Sequence, residues 1–249
     1  MAAPETHMTR RGRDNPVALA RLTGAFYLYI IVAGIFAEAF VRGTLVNSGD
    51  AAATAANITG AESLWRIGLT AELLMLAADI FVALLLYELL KPVSRRLALL
   101  GAGFHLVSTA IAGFKSVLLL TPLMLLGGGD YLQAFGQQQI EAATLFAIKL
   151  HGQTYDISLF AFGISCLFKG YLIYRSGFLP RILGALIVLA GLCYFANSVL
   201  NILSPEFASG LFPWIMLPCL LGEAGLTLWL LIAGLDKETW MARTQVQPA

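Results

Sequence analysis

Charged side chains are scarce in this chain, and that scarcity excludes most soluble folds. Asp, Glu, Lys and Arg make up 12% of the 249 residues, whereas 58% of the residues are hydrophobic and the mean hydropathy is +0.77. Soluble domains carry roughly twice that fraction of charge. The chain also has no long basic surface, so nucleic acid is not an expected partner. The composition instead predicts an all-α, multi-pass membrane protein.

Cysteine and histidine are equally rare, which argues against several kinds of metal centre. The three cysteines lie in apolar segments without a CxxC spacing, so neither a disulfide framework nor a metal knuckle is expected. Straight helices place His105 and His151 about 20 Å apart in height, too far for one zinc ion or one haem. An all-carboxylate Mg²⁺ or Ca²⁺ site is left open. The chain contains no GxSxG elbow and no phosphate loop ending in Lys-Ser/Thr, so no motif implies a cofactor.

Six apolar runs are long enough to cross a hydrocarbon core of about 30 Å. They cover residues 19–41, 64–90, 97–126, 152–174, 182–203 and 213–234. Basic residues cluster before the first run, in the turns at 91–96 and 175–181, and after the last run. The positive-inside rule places these clusters, and hence both termini, in the cytoplasm. We expect a six-helix transmembrane domain over 19–235, with a flexible cytoplasmic tail at 1–18 and a second cytoplasmic tail at 236–249.

The segments between the apolar runs also have predicted features. Between the first two runs, Asp50 is predicted to cap a short surface helix. Residues 127–151 are predicted to contain an interfacial helix that turns into the fourth span at Gly152. Arg42 and Arg66 are assigned to outer loops. The odd-numbered spans each begin with Arg and small residues, and each even-numbered span carries an acid. Three repeated hairpins would explain this pattern, but inward-end arginines and small packing residues are also common without repetition.

Five acidic side chains lie inside the apolar runs, where each costs roughly 2.5–3.5 kcal/mol to insert unless it has a partner. They are Glu38, Glu72, Asp79, Asp156 and Glu223. At 1.5 Å per residue, four groups come out about 27 Å from the cytoplasmic boundary, namely Glu38, Glu72, Lys115 and Asp156. Asn197 comes out at about 24 Å and His151 at about 35 Å. Asp79, His105 and Glu223 form a second layer at about 12–16 Å.

These layers predict an outward-opening polar pocket walled by at least five spans. Glu72, Asp156 and Glu38 are the candidate catalytic residues, with a protonated carboxyl as general acid. The candidate binding residues are Lys115, Asn197, His151, Asp79, His105 and Glu223. Five acids against one central Lys leave a surplus of negative groups, which favours protonated carboxyls. Lys169 is predicted to snorkel from a span end. The alternative interpretation is structural: Lys115 neutralises Glu72 or Asp156, and Asp79 bonds His105.

Four stretches carry a resemblance to a known family. They are AGIFAEAFVRG at 33–43, GDAAATAANI at 49–58, LLYELLKPV at 85–93 and GYLIYRSGFLPRILG at 170–184. They resemble a bacterial integral-membrane family that is known only as a domain of unknown function, number 4386, over about residues 19–235. The resemblance implies a multi-pass protein of the bacterial cytoplasmic membrane and transfers no catalytic role. A basic residue, often Arg, stands at the His105 position in that family, which favours a charge partner for Asp79.

Three functions remain open from the sequence. The first is binding or acid/base processing of a small amphiphile or lipid in the polar pocket. The second is a proton-coupled carrier that uses both acidic layers as a relay. The third is a non-catalytic regulatory or structural membrane protein whose charges determine helix packing. Membrane lipids are expected partners in every case, with a small amphiphilic ligand added in the first.

Overall fold

The computed structural model describes residues 15–246 of the chain, and within that range the regular structure is entirely helical. Six helices are long and apolar enough to span a membrane, which confirms the predicted number. They are Pro16–Leu45, Glu62–Leu90, Arg95–Leu126, Gln137–Ser176, Arg181–Leu203 and Trp214–Ile232, called the first to sixth spans below. Three further α-helices of the described residues lie outside them: a surface helix Ala51–Gly60, the short helix Pro205–Leu211 and a C-terminal helix Lys237–Val246.

Three of the spans are irregular in the half that was predicted to face outward. The first continues from Pro16–Ile35 into a π-helical turn, Phe36–Arg42, and the short helix Gly43–Leu45. The third breaks at Leu119, between Arg95–Leu118 and Leu120–Leu126, where the buried Trp65 indole donates to the Leu119 carbonyl at 3.0 Å. The sixth begins as a 3-10 turn, Trp214–Met216, before the helix Leu217–Ile232. The short helix Pro205–Leu211 lies between the fifth and sixth spans, and a 3-10 turn at Asp130–Leu132 lies between the third and fourth.

The fourth span differs from its prediction. No turn occurs at Gly152, because Gln137–Ser176 is one continuous helix of 40 residues. At 1.5 Å per residue it is about 60 Å long, twice the hydrocarbon thickness. Its N-terminal half packs against the surface helix and against Leu120–Leu126, burying Thr144 and Ile148. Protein contacts therefore replace the membrane interface that was expected to turn the chain. The predicted cap is confirmed, since the Asp50 side chain accepts from the Ala53 N–H at 2.9 Å.

The six spans form a closed ring. Each span packs against the next along the chain, and the first packs against the sixth. Glycine permits this closure: a Cβ on Gly24 would lie 2.9 Å from the Leu231 backbone nitrogen. The two spans within each predicted hairpin pack together much as neighbouring spans of different hairpins do. The arrangement as three repeated hairpins therefore stays a prediction.

Packing around the fourth span follows a spacing of seven residues. Toward the fifth span, Gly163 meets Gly191 and Gly170 meets Gly184, so closely that an added Cβ would lie 2.7–2.8 Å from the opposing carbonyl oxygen. Toward the third span, Gly101 meets Ser165, Ser108 meets Ser158, and Lys115 meets His151. A repeat of seven on both helices is typical of antiparallel, left-handed packing. This register decides which polar groups can meet.

The C-terminal helix joins the ends of the spans. Trp240 is buried and donates its indole N–H to the Leu89 carbonyl at 2.9 Å, while the Arg243 guanidinium donates to the Arg175 carbonyl at 2.9 Å. The two described ends of the chain consequently lie at the same end of the ring, since the C-terminal helix also contacts the first span. The assignment of residues 1–14 and 247–249 to cytoplasmic tails falls outside the described residues.

Candidate functional site

Glu72 is the centre of a buried polar network, called the outer network below. Its side chain is 1% exposed, and its carboxylate is approached from three other spans. Arg42 pairs with Oε1. Lys115 donates to Oε2 at 3.4 Å and the Ser116 hydroxyl donates to the same oxygen at 3.2 Å, while His151 Nε2 lies 3.6 Å from it. Two cations and two further polar groups thus surround one carboxylate.

Arg42 is the member of this network that the sequence reasoning missed. It was assigned to an outer loop, but its helix continues through the π-helical turn, and its side chain points between Glu38 and Glu72. The Arg42 guanidinium binds Glu38 Oε2 at 2.8 Å. The spacing of four residues between Glu38 and Arg42 is an ion-pair spacing on one helix face and could have indicated the pair. Glu38 itself is 73% exposed.

A second network, the inner network, connects the second, third and fourth spans, which the outer network also joins. Nε2 of His105 lies 2.8 Å from Asp79 Oδ1, and the Thr109 hydroxyl donates to Asp79 Oδ2. On its other side, His105 Nδ1 is hydrogen-bonded to the Lys169 ammonium. Asp79, His105 and Lys169 therefore form a chain from the second span through the third to the fourth. The predicted pairing of Asp79 with His105 is present.

Lys169 corrects a prediction. It does not snorkel to the membrane surface, since it is buried and its ammonium reaches His105. Helical side chains lean toward the N-terminus of their helix, and in the fourth span this direction leads into the ring. The lysine stem packs beside Gly101, where an added Cβ would be in ordinary contact with Lys169 Cγ at 3.6 Å. The ammonium also lies 5.3 Å from the centre of the Phe162 ring.

The remaining predicted site residues are distributed differently than their heights indicated. His151 was placed about 8 Å above Lys115, yet their nitrogens lie 3.3 Å apart, because helix register and side-chain reach bring them together. Asp156 was placed level with Glu72 and Lys115, but its hydrogen bonds go to the fifth span. The Asn197 amide donates to its carboxylate at 3.1 Å, and Ser198 donates to its backbone carbonyl at 2.6 Å.

Charge balance also differs from the prediction. The expected surplus of acids rested on Lys115 as the one central cation, but Arg42 and Lys169 are also inside the networks. The outer network then carries two cations against Glu38 and Glu72, and the inner network carries one cation against Asp79. Glu223 lies near Asp79 and Lys169, yet its buried Oε1 has no hydrogen-bond partner among the described residues.

Tyr155 is an exposed side chain beside the outer network. It is 44% exposed, and the Lys115 ammonium lies 4.7 Å from the centre of its ring. Glu38, the ion-pair partner of Arg42, is exposed as well. Two exposed side chains therefore adjoin the buried charges of the outer network.

Two further features bear on ligand chemistry. Among residues 15–246, no group of three or more His, Cys, Asp or Glu side chains is arranged to hold a metal ion. A separate cavity of about 450 Å³ lies at the end of the ring that carries the C-terminal helix. It is lined by Gly177, Phe178, Leu179, Pro180, Trp229, Ala233, Leu235 and Asp236, and so contains none of the predicted site residues.

Comparisons with known proteins extend over most of the chain. The sequence model of the family described as "Domain of unknown function (DUF4386)" matches residues 22–234. An uncharacterized protein of the archaeon Archaeoglobus fulgidus is 29% identical over 161 residues, which cover 65% of this chain and 80% of that protein. No solved structure matches.

Proposed function

The chain belongs to the domain-of-unknown-function family DUF4386, and from that premise we propose that this multi-pass membrane protein binds a small amphiphile inside its helical ring. The observation that carries the proposal is Tyr155, which is 44% exposed although its ring lies 4.7 Å from the buried Lys115 ammonium. Ligand sites in helical membrane proteins lie in such interior spaces, where polar groups can be held away from lipid.

The chemistry of the interior favours a ligand with one polar end and one apolar end. Arg42 and Glu38 offer an ion pair that is partly accessible, and Tyr155 offers an aromatic surface beside Lys115. Arg42 suits an anionic or hydrogen-bonding head group, because its planar guanidinium donates in several directions. An apolar tail would lie along the aromatic and aliphatic lining. Membrane lipids and molecules derived from them have this division.

Acid/base processing of the ligand is the finer part of the proposal. Of the three carboxyls predicted for it, Glu72 is enclosed by cations and Asp156 bonds to the fifth span. Glu38 is the one of these three that combines accessibility with a place in the outer network. We therefore assign Glu38 as the first candidate for a group that touches the ligand, and Glu72 as the residue that holds Arg42 and Lys115 in place.

Native mass spectrometry of gently purified protein tests binding. We expect a copurifying small molecule, and we expect Tyr155→Leu and Glu38→Gln to lose most of it. Tyr171→Leu is the matched control, because Tyr171 lies in the same span and is similarly exposed at 49%. If the wild-type protein carries no small molecule and candidate lipids leave its melting temperature unchanged, or if Tyr171→Leu loses as much ligand as Tyr155→Leu, the proposal is wrong.

For localisation we propose a bacterial cytoplasmic membrane with both termini inside. The support is that basic residues, including Arg96, Arg175 and Arg243, belong to one end of the ring. The positive-inside rule assigns such an end to the cytoplasm. Single cysteines at Arg96 and at Asp130, in a background without the three native cysteines, test the orientation. A membrane-impermeant maleimide should label Asp130→Cys in intact cells and Arg96→Cys after lysis. The reverse pattern contradicts the assignment.

A proton-coupled carrier is the second candidate, favoured by the fact that both networks connect the second, third and fourth spans. Movement of one of these spans would have to rearrange both networks together. Reconstituted vesicles loaded with a pH-sensitive dye should then acidify or alkalise when the copurified molecule is added on one side. The absence of proton flux at any pH, together with retained binding, favours the amphiphile-binding protein over the carrier.

A further inference from the structure

Titratable side chains from all six spans are linked by hydrogen bonds or electrostatic interactions in the inner half of the ring. They are Tyr27, Asp79, His105, Lys169, Tyr194 and Glu223, in chain order of the spans. Four of the other spans carry a titratable group that interacts with Glu223 on the sixth span, namely Tyr27, Asp79, Lys169 and Tyr194. The phenol of Tyr155 and the thiols of Cys166 and Cys219 also interact with Glu223. The protonation of Glu223 therefore depends on residues of four other spans.

The hydrogen bonds determine where a proton resides in the inner network. A protonated Lys169 donates to His105 Nδ1, so His105 Nε2 carries the hydrogen and donates to Asp79. The second oxygen of Asp79 accepts from the Thr109 hydroxyl. Asp79 is consequently well solvated by the protein as an anion, and His105 is held neutral between an ammonium and a carboxylate.

Glu223 has less support. Tyr194 hydrogen-bonds to its carboxyl, but within residues 15–246 its buried Oε1 lacks a partner, and so does the buried hydroxyl of Thr227 one turn later on the same helix face. An ionised carboxylate with one oxygen unpaired is costly in the membrane interior, and a neutral carboxyl costs less there. With Lys169 matched to Asp79, an ionised Glu223 would leave the inner half with one unbalanced negative charge. One proton on Glu223 removes that charge.

We propose that Glu223 is a proton-binding site of the inner half, which holds one exchangeable proton opposite the Asp79–His105–Lys169 network. The proton forms an O–H bond on the Glu223 carboxyl, and its release leaves the carboxylate facing the Lys169 ammonium. Tyr27 and Tyr194 flank the site as neutral phenols, since unperturbed phenols ionise near pH 10. The proposal is independent of the amphiphile site, because it requires no ligand and none of the outer network.

Infrared difference spectroscopy of the full-length protein in lipid nanodiscs tests this. On raising the pH from about 6, where unperturbed carboxyls are already ionised, to alkaline values, we expect the loss of one carboxylic-acid C=O band per protein. Glu223→Gln should lack that band, and Glu62→Gln, at an exposed ion pair with Arg66, should retain it. Because a neutral amide resembles the protonated carboxyl, Glu223→Gln should fold and melt like the wild type at acidic pH. An unchanged band in Glu223→Gln overturns the proposal.

A second measurement is the pH at which Glu223 loses its proton, which substitutions at two neighbouring residues should shift in opposite directions. Lys169→Met removes a positive charge, so Glu223 should hold its proton to a higher pH. Asp79→Asn removes a negative charge, so Glu223 should lose its proton at a lower pH. Either variant alone decides the direction if the other does not fold. A midpoint that stays constant or moves the opposite way overturns the assignment of the proton to Glu223. If the protein shows the band but binds no amphiphile, the proton-binding site at Glu223 is supported and the proposed amphiphile binding is wrong.

Discussion

Removing the charge of Glu72 is the perturbation for which the structure makes the most quantitative prediction. Glu72→Gln leaves two cations without their shared carboxylate. Arg42 keeps Glu38 at 2.8 Å, but Lys115 keeps only the neighbouring His151 and the Tyr155 ring. Breaking a buried pair by removing one partner costs about 3–5 kcal/mol. Because Arg42 remains paired, we expect the low end, about 3 kcal/mol.

The reverse single change should cost less. Lys115→Met leaves Glu72 with Arg42 and the Ser116 hydroxyl, so we expect about 1–2 kcal/mol. In the double variant both unpaired groups are gone, and we expect a loss of about 2–3 kcal/mol rather than the sum of the singles. The coupling free energy between Glu72 and Lys115 should then be about 1–3 kcal/mol, within the range for groups in contact.

Reversible unfolding in mixed micelles, followed by circular dichroism as the fraction of denaturing detergent rises, measures these free energies. The ion pair Glu62–Arg66 is the matched control: it has good geometry at 2.7 Å but is about half exposed on both sides. Its double-mutant cycle with Gln at both positions should give only about 0.3–0.5 kcal/mol. If the buried pair couples no more strongly than this exposed pair, the claim that Lys115 neutralises Glu72 is refuted.

Three further predictions concern the frame around the networks. Gly170→Ala should cost about 1–3 kcal/mol in the same unfolding assay, because the added Cβ would lie 2.7 Å from the Gly184 carbonyl oxygen; Gly103→Ala, with open space around it, should cost little. Trp240→Phe removes the indole donor to the end of the second span and should cost about 1 kcal/mol, again by detergent unfolding. The N–H of Thr239 lowers the pKa of Asp236 at the start of the C-terminal helix. The stabilisation that the Asp236 carboxylate contributes is therefore present above the pKa that this group has in the unfolded chain. It is lost as the pH falls through the pKa of Asp236 in the folded protein. Protection factors for hydrogen exchange in that helix should fall at acidic pH in the wild type, whereas those of Asp236→Ala should show no such fall.

The sequence predicted the class of fold because the solvent imposes it. Long apolar runs must form helices in a bilayer, where backbone groups find no water to bond. Their number could be counted from composition alone. The predicted turn at Gly152 was wrong for a related reason. A segment of mixed polarity can lie at a membrane interface or against another part of the protein, and composition does not distinguish these environments.

The candidate site was predicted in part. Glu72 with Lys115 and Asp79 with His105 were identified from height, since groups at different depths cannot pair. Height could not decide which helix faces which, so Asp156 was grouped with Lys115 although it faces the fifth span. It also could not show that Arg42 and Lys169 reach inward, because a side chain of their length spans more than a helical turn.

Composition and length by themselves determined that this chain is a six-helix membrane protein with acids that need partners. Only the tertiary structure decided which partners they have. Ring closure between the first and sixth spans and the seven-residue register around the fourth span bring Arg42, Lys115 and His151 to Glu72, and Lys169 to His105. Such choices depend on helix rotation and backbone approach at glycines, which are properties of contacts between spans. Within the described residues, the same packing leaves Oε1 of Glu223, one helix away, without a hydrogen-bond partner.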